Sequence, residues 1–514
     1  MSLFANLVDV SRRVAATASR LKKMSELASF LRALPAGEID IAVHYLTGET
    51  LQGRIGLGYA TLRAAATGAA AREATLSIAD VDHALAAVDA IRGAGSAIGR
   101  ADILSALFSR ASADEQQFLL ALLGAELRQG ALAGIMVDAI AAAAQLPVQR
   151  IRRAAMFAPS LGAVARIAML EGDAALGKFR LELFSPVAPM LAQTAVDVAE
   201  ALNALPGDIA LEWKMDGARI QVHKLAQEIR IYTRTLNEVT AALPEIVEAV
   251  RALPAPALVL DGEAIAFNAS QRPHPFQITM RRFGRKLEVD KLRAQLPIRA
   301  FFFDCLYADG ESIIDLPTRE RVQALAEAVP ASLRVPRLVT SLEPEARAFY
   351  EAALAAGHEG VMAKALDAPY EAGNRDARWL KIKRVHSLDL VVLAAEWGHG
   401  RRSGKLSNLH LGALDPSTGE YVMLGKTFKG LTDATLAWQT REFLARETSR
   451  DQWTVHIRPE LVVEIAFSDL QASSRYPGGL ALRLARVKRY RDDKRVEEAD
   501  TMDSVRRIYA AQSA

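Results

Sequence analysis

The spacing of apolar residues along this 514-residue chain changes near residue 190, from a helical period to a strand period. Before that point, apolar positions recur every three to four residues, the period of a helix with one buried face. "SADEQQFLLALLGAELRQG", 112–130, shows the pattern with its punctuation. Ser112 and Glu115 form a capping box, Leu119, Leu122, Leu123 and Leu127 mark one face, and Gly130 offers a stop. Similar segments cover 25–34, 80–92, 101–109 and 134–144, so residues 1–190 are expected to form an all-α domain without a fixed repeat. Its end, "FSPVAPMLAQ" at 184–193, carries two prolines and reads as a linker.

Beyond it the period drops to two. "LEWKM", "ARIQVHKL", "EIRIYTRT", "LVLDGEAIAF", "RAFFFDCLY", "EGVMAKAL" and "WLKIKR" read as short strands, with helices at 242–252 and 318–328 between them. This predicts a mixed α+β domain of antiparallel sheets over 191–385. Residues 386–514 are again strand-rich, with Gly-rich turns such as "GHGRRSGK" and one helix near 431–447, which suits a small Greek-key β-barrel of OB type. Three domains agree with the chain's length.

Composition excludes several classes. Half the residues are apolar (51%) and 24% are charged, so the chain is globular rather than disordered. The formal charge of +3 is too small for a polybasic tail protein; an anionic partner has to be met by local patches. One cysteine, Cys305 inside "FFFDCLY", rules out an internal disulfide framework and reads as core packing. No apolar run approaches the roughly 20 residues that span a bilayer. The N-terminal "MSLFANLVDVSRRVAATASRLKK" lacks signal-peptide order, so a cytoplasmic protein is expected.

"ALEWKMDGARIQVHK", 210–224, holds the central ambiguity. Asp-Gly tolerates the positive φ of a tight turn, so the stretch by itself reads as a hairpin with a solvated lysine, Lys214, at its mouth. Elsewhere in the same domain, acids and bases gather at strand ends: Asp216, Asp261, Glu263, Asp304 and Glu359, with Lys214, Arg219, Arg234, Lys364, Lys381 and Lys383. Phosphoryl and nucleotidyl transfer need such a set, cations for phosphate oxygens and carboxylates for Mg²⁺. Lys381 and Lys383 in "WLKIKR" are two apart, so both project from one strand face, an arrangement that favours an anion between them. Each signal also has a plain reading: an edge strand guarded by lysines, an exposed Asp-Gly turn, an aromatic core run.

Read in order, "EWKMDGAR", "YTR", "LDGEAIAF", "FFFDCLY", "EGVMAK" and "WLKIKR" resemble the nucleotidyltransferase motifs of ATP-dependent DNA ligases. "LALRLARVKRYRDDK", 480–494, resembles the motif that ends the ligase OB domain, although Ala485 stands where the family often has proline. "SPVAPMLAQ" and "PYEAGNRDARWLKIK" are also similar to ligase text, and the helical region resembles the DNA-binding domain of multidomain ligases. The layout is most similar to the actinobacterial ligase B type.

The resemblance implies roles. Lys214 would attack the α-phosphorus of ATP and carry AMP, with Asp216 orienting it. Glu212 would accept a hydrogen bond from the adenine amine, and Phe303 would pack on the purine. Arg219 and Arg234 would hold ribose or phosphate, Arg219 also the 5′-phosphate of a nick. Glu263 and Glu359 would bind ribose and Mg²⁺, with Mn²⁺ as an alternative metal. Lys381 and Lys383 would contact the α-phosphate, and Arg491, Asp493 and Lys494 would orient pyrophosphate. A free lysine has a pKa near 10.4 and is neutral in about one part in a few thousand at pH 7. Burial and the neighbouring Lys381 and Lys383 are therefore expected to lower that of Lys214.

The implied partner is nicked duplex DNA, in replication, repair or recombination. Basic clusters in all three regions, "RRVAATASRLKK", "RRFGRKLEVDKLR", "GRRSGK" and "RVKRYRDDKR", suit a protein that wraps the backbone. Arg128 in "LRQGA", Arg401 and Arg402 are candidate DNA contacts. "QQFLL" has the outward form of a sliding-clamp peptide but lies on an apolar helix face, where packing explains it. A monomer with a hinge over 384–389, "RVHSLD", is expected. Two other classes share features: an RNA ligase or capping guanylyltransferase, and a DNA-binding scaffold with a dead ligase fold.

Overall fold

The computed structural model describes residues 1–53, 55–66, 68–93, 95–127, 133–283, 289–373, 375–399 and 402–513. Helices Phe4–Ala15, Arg20–Ala33, Ile39–Thr47, Ile78–Ala90, Ser96–Arg110, Ala113–Leu123, Ala133–Ala144, Val148–Ala155 and Leu161–Leu170 surround one apolar core. Each anticipated helical segment falls on one of them. At the anticipated capping box, Glu115 accepts from the Ser112 backbone N–H at 2.8 Å. That helix stops at Leu123 and is capped by Gly124, so Leu127 lies past its end, and Arg128 and Gly130 lie outside the described residues. Phe118 and Leu119 of "QQFLL" are buried in the core. Among the described residues no helix is long and apolar enough to cross a membrane.

The expected linker is in fact packed. Phe184 N–H donates to His223 Nδ1 and Val187 N–H to Gln221 Oε1, each at 2.9 Å, and Met190 is buried. A proline-bearing segment cannot satisfy its N–H groups in a regular ladder, and side chains of the next domain do so instead. Leu191–Thr194 then joins a five-stranded sheet, in spatial order Leu191–Thr194, Arg375–Lys383, Gly360–Ala365, Ile209–Lys214 and Arg337–Thr340. Its first pair is parallel, where an antiparallel sheet was expected. A second five-stranded sheet runs Glu228–Thr233, Ala218–Leu225, Ala257–Ala266, Ile298–Ala308, Glu311–Ser312, antiparallel throughout.

Ile209–Lys214 and Ala218–Leu225 thus belong to different sheets, and the hairpin reading of "EWKMDGAR" is overturned. Both strands bury most of their residues, and each finds its partners far along the chain rather than across the turn. Gly217 is also absent from the positive-φ glycines. Its small size is needed for another reason: a Cβ there would lie 2.4 Å from Ala264 O and 2.9 Å from Glu263 Cγ. The chain crosses between the two sheets at Lys214–Ala218, in the narrow space beside Glu263. Helices Pro244–Arg251 and Thr318–Ala328 flank the second sheet as expected.

The C-terminal sheet closes into an OB barrel. His386–Trp397 pairs with Leu406–Asp415 and Val462–Phe467; Leu406–Asp415 pairs with Glu420–Thr427, and Val462–Phe467 with Arg486–Tyr490. The circuit shuts where Val487 N–H donates to Lys429 O at 3.0 Å. Helix Asp433–Ala445 contributes Phe443 to the barrel core, and helix Met502–Ser513 contributes Met502 and Val505. Of the expected hinge segment, 384–389, only Arg384 and Val385 lie between strands, because Lys383 ends one and His386 begins the next. Cys305 is a buried core residue, its thiol pushed up to about 12 by burial.

Candidate nucleotidyltransferase site

The two central sheets face each other across a cavity of about 880 Å³. Strand register decides what lines it. In the first sheet, Lys214 and Lys383 both pair with Gly360, Glu212 and Lys381 both pair with Met362, and Ala210 and Trp379 both pair with Lys364. Period-two alternation turns these rows to one face, so the inferred pairing of Lys381 with Lys383 on one face holds. The second sheet contributes Arg219, Glu263 and Phe303, and Arg234 stands at the exposed rim.

Lys214 is ion-paired with Glu359. Burial alone would lower its pKa, but Glu359, Glu263 and Asp216 outweigh burial and hold it above the ordinary lysine value. This corrects the expectation that Lys381 and Lys383 depress it: the carboxylates prevail. Glu359, pushed up by burial, is brought below its usual range by Lys214 and Lys383. Lys381 is itself lowered, by burial and then by Arg375, Lys383 and Lys214, and no acid partners it among the described residues. The cavity therefore favours the protonated form of Lys214 and holds Lys381 without an acid partner among the described residues.

Glu263 is the opposite case. It makes no hydrogen bond or ion pair among the described residues, and burial pushes its carboxyl up to about 8 despite Lys214 and Arg219. A buried carboxyl in that condition is suited to a cation that the protein does not itself supply. No three His, Cys, Asp or Glu side chains cluster as a ready metal site among the described residues, so Mg²⁺ would draw on Glu263, Glu359 and ligand oxygens.

Several anticipated residues are already engaged. Glu212 is 2% exposed; its Oε1 accepts from Arg337 Nε and Nη2 at 2.9 and 2.5 Å, and Oε2 pairs with Lys364 at 2.6 Å. Arg219 is not a free phosphate or nick ligand. It holds Asp261 bidentately at 3.1 and 2.6 Å and donates to Met190 O and Tyr370 Oη. Asp304 is likewise spent on Arg321, a fully buried pair at 2.8 Å. Asp216 accepts from Arg483 of the barrel at 2.9 Å. Phe303 lies under the Lys364 ammonium, 4.6 Å from its ring centre.

Arg491, Asp493 and Lys494 do not line the cavity. Arg491 and Lys494 both bind Asp389 at 2.7 Å, and Arg491 also binds Asp493. The barrel instead presents its hairpin Asp469–Ala472/Leu480–Arg483, seated by Arg483 on Asp216, Lys383 Nζ on Ser468 Oγ (3.0 Å) and Gln277 on Gln471 (2.8 Å). Arg402 lies elsewhere on the barrel, donating to Phe428 O, and Arg401 is outside the described residues.

Comparison with known proteins now fits this geometry. Residues 189–383 match the family model of the ATP dependent DNA ligase domain, 402–494 that of the ATP dependent DNA ligase C terminal region, and 58–141 that of the DNA ligase N terminus. A probable DNA ligase of Anaeromyxobacter sp. (strain K) is 58% identical over 510 residues, covering 99% of each chain. The chain belongs to the ATP-dependent DNA ligase family. A probable DNA ligase of Mycolicibacterium gilvum (strain PYR-GCK) is 54% identical over 508 residues, 98% of this chain and 99% of its own. The solved structure Pmar-Lig_Pre shares the fold at a TM-score of 0.60 and 18% identity, covering 95% of this chain and 99% of its own.

Two residues of this ligase-family site escaped the sequence reading. Arg337 carries no local signal; only its cross-strand pairing with Glu212 reveals it. Arg483 lies inside the quoted "LALRLARVKRYRDDK", and its strand position before the next basic run was the available signal.

Proposed function

We propose that this chain seals 5′-phosphate/3′-hydroxyl nicks in duplex DNA with ATP, through a lysine–AMP and then a DNA–adenylate intermediate. The observation that carries the reading is the row Lys214–Gly360–Lys383 set opposite Glu263 and Phe303 in one cavity. In the first step Lys214 Nζ, part-exposed, gives its proton to water and forms a bond to the α-phosphorus as the bond to pyrophosphate breaks. Lys381, without an acid partner among the described residues, and Lys383 would hold the α-phosphate. Glu212 would accept from the adenine amine with the lone pairs that Arg337 and Lys364 leave, and Phe303 would take the purine face. Glu263 and Glu359 would hold Mg²⁺, which supplies neutralisation of phosphoryl charge when bound. Asp216 would orient Lys214, and Arg234 at the rim would meet ribose or phosphate. Arg219 fits a positioning role, fixing Asp261 beneath Glu263. AMP then passes to the 5′-phosphate, and the 3′-hydroxyl displaces it.

The division 1–190, 191–385 and 386–514 assigns DNA binding, adenylation and an OB lid, in a cytoplasmic monomer. Arg491, Asp493 and Lys494 would reach pyrophosphate only after the barrel turns about Arg384–Val385. Incubation with labelled ATP and Mg²⁺ tests the chemistry: a lysine-linked AMP adduct and nick sealing are expected, and both vanish in K214A. A GMP adduct without an AMP adduct would assign the chain to capping chemistry instead. Full sealing by K214A would refute the mechanism.

A further inference from the structure

Glu212 and Phe303 stand on different sheets, and one segment joins them from behind. In 334–337, Arg334 forms a parallel bridge with Phe302 of the second sheet, and Val335 N–H donates to Phe302 O at 3.0 Å. On the other side, Pro336 O accepts from Trp213 N–H of the first sheet at 3.2 Å. Arg337 completes the stitch with its side chain. It is paired in register with Glu212, and its Nε and Nη2 donate to Glu212 Oε1 at 2.9 and 2.5 Å. Nη2 also donates to Phe303 O at 2.8 Å. The Arg337 side chain is 13% exposed and that of Glu212 3% exposed, so little water competes for these contacts. Glu212, Phe303, Val335 and Lys364 line the catalytic cavity, and Arg337 stands behind them.

A carboxylate has about four acceptor positions and, held between two cations, no proton to give. The guanidinium fork occupies both positions of Oε1, and Lys364 sits on Oε2 at 2.6 Å, so the acceptor capacity that remains is on Oε2. A base edge that presents an N–H there gains a hydrogen bond. One that presents a carbonyl oxygen sets two acceptors against each other in a buried place. The fork also fixes which way the carboxylate faces, and its bond to Phe303 O ties the aromatic strand to that edge. Lysine, a point charge with rotatable donors, would do neither. We infer that Arg337 is a specificity-determining positioning residue: by orienting Glu212 against Phe303, it makes the cavity select nucleotides of 6-aminopurines over those of 6-oxopurines. The inference rests on the proposed adenylation and deepens it, because in that reaction Glu212 alone meets the edge of the base.

Calorimetric titration of the full chain with ATP and with ITP, in EDTA to withhold Mg²⁺, tests it in wild type, R337K and R337Q, with thermal melts as folding controls. Wild type should prefer ATP by about a hundredfold or more. In R337K and R337Q that ratio should fall by about tenfold or more while ITP binding moves less than about threefold. A ratio within about threefold of the wild-type value in either folded variant, even where both affinities drop together, makes Arg337 a structural prop and overturns the assignment. A wild type that binds ATP and ITP alike overturns it as well. Incubation with labelled ATP and Mg²⁺ keeps the two readings apart. A wild type that prefers ATP but forms no Lys214 adduct sinks the sealing reaction and leaves Arg337 in its role; a normal adduct beside an unmoved ratio sinks only the inference.

Discussion

Replacing Gly217 by alanine tests how tightly the crossover between the sheets is built. The added methyl would stand 2.4 Å from Ala264 O and 2.9 Å from Glu263 Cγ. Ordinary contact requires about 3.5 Å, so the crossover and the Ala257–Ala266 strand must part by roughly 1 Å. The obstacle is a backbone carbonyl in a strand paired on both edges, which has no rotamer to change. Overpacking of this kind costs about 1–3 kcal/mol. Alanine restricts the unfolded chain and returns about 0.4–1 kcal/mol of that, leaving a net loss of up to about 2.6 kcal/mol, centred on about 1.3 kcal/mol. For a domain of this size the central value lowers the melting temperature by about 3–5 °C. The same displacement carries Glu263 away from Lys214 and Lys383, and misplacement by about 1 Å costs on the order of 10²-fold in rate. Single-turnover adenylation with labelled ATP at 25 °C, where the variant stays folded, reads the second effect separately from the first. G217A that melts with the wild type and adenylates within twofold of it would refute the close-approach argument.

E212A leaves Arg337 and Lys364 without their shared partner in a buried setting, and denaturant unfolding should report a loss of about 3–5 kcal/mol. Glu263 is raised to about 8, so the folded chain holds a proton that the unfolded chain has released by about pH 4.5. Stability without metal therefore falls as pH rises from about 4.5 to about 8. E263Q removes that slope: it should melt above the wild type at pH 8.5 without Mg²⁺, and the gap should close near pH 5. R483A removes the ion pair that seats the hairpin on Asp216, a pair about a quarter exposed and worth about 1 kcal/mol. Trypsin should then cut after Arg384 about fivefold faster, and an unchanged rate would show that other contacts hold the barrel.

Local period carried much of the architecture. Apolar spacing found the helices, and alternation placed Lys381 and Lys383 on one face, because both are properties of a single segment. The crossover at Lys214 was misread for the converse reason. Asp-Gly favours a hairpin locally, but pairing with Gly360–Ala365 on one side and Ala257–Ala266 on the other is settled by burial at long range. Long-range pairing also gave Glu212 its Arg337 and Arg219 its Asp261, partners no local pattern announces. The raised pKa of Lys214 has the same origin: Lys381 and Lys383 were visible in sequence, whereas the closer approach of Glu359 depends on a hydrogen bond from its own N–H to Lys214 O at 3.0 Å.

Only Arg384 and Val385 separate the last strand of the catalytic sheet from the first strand of the barrel. A tether that short keeps the barrel at an effective concentration on the order of millimolar beside the pocket, whichever face it presents. Docking then needs little affinity of its own. Among the described residues the hairpin is seated by the Arg483–Asp216 ion pair, a hydrogen bond from the Lys383 ammonium and one neutral amide hydrogen bond. Each added flexible residue between Lys383 and His386 would lower that effective concentration and so weaken the docked arrangement without touching any of its contacts.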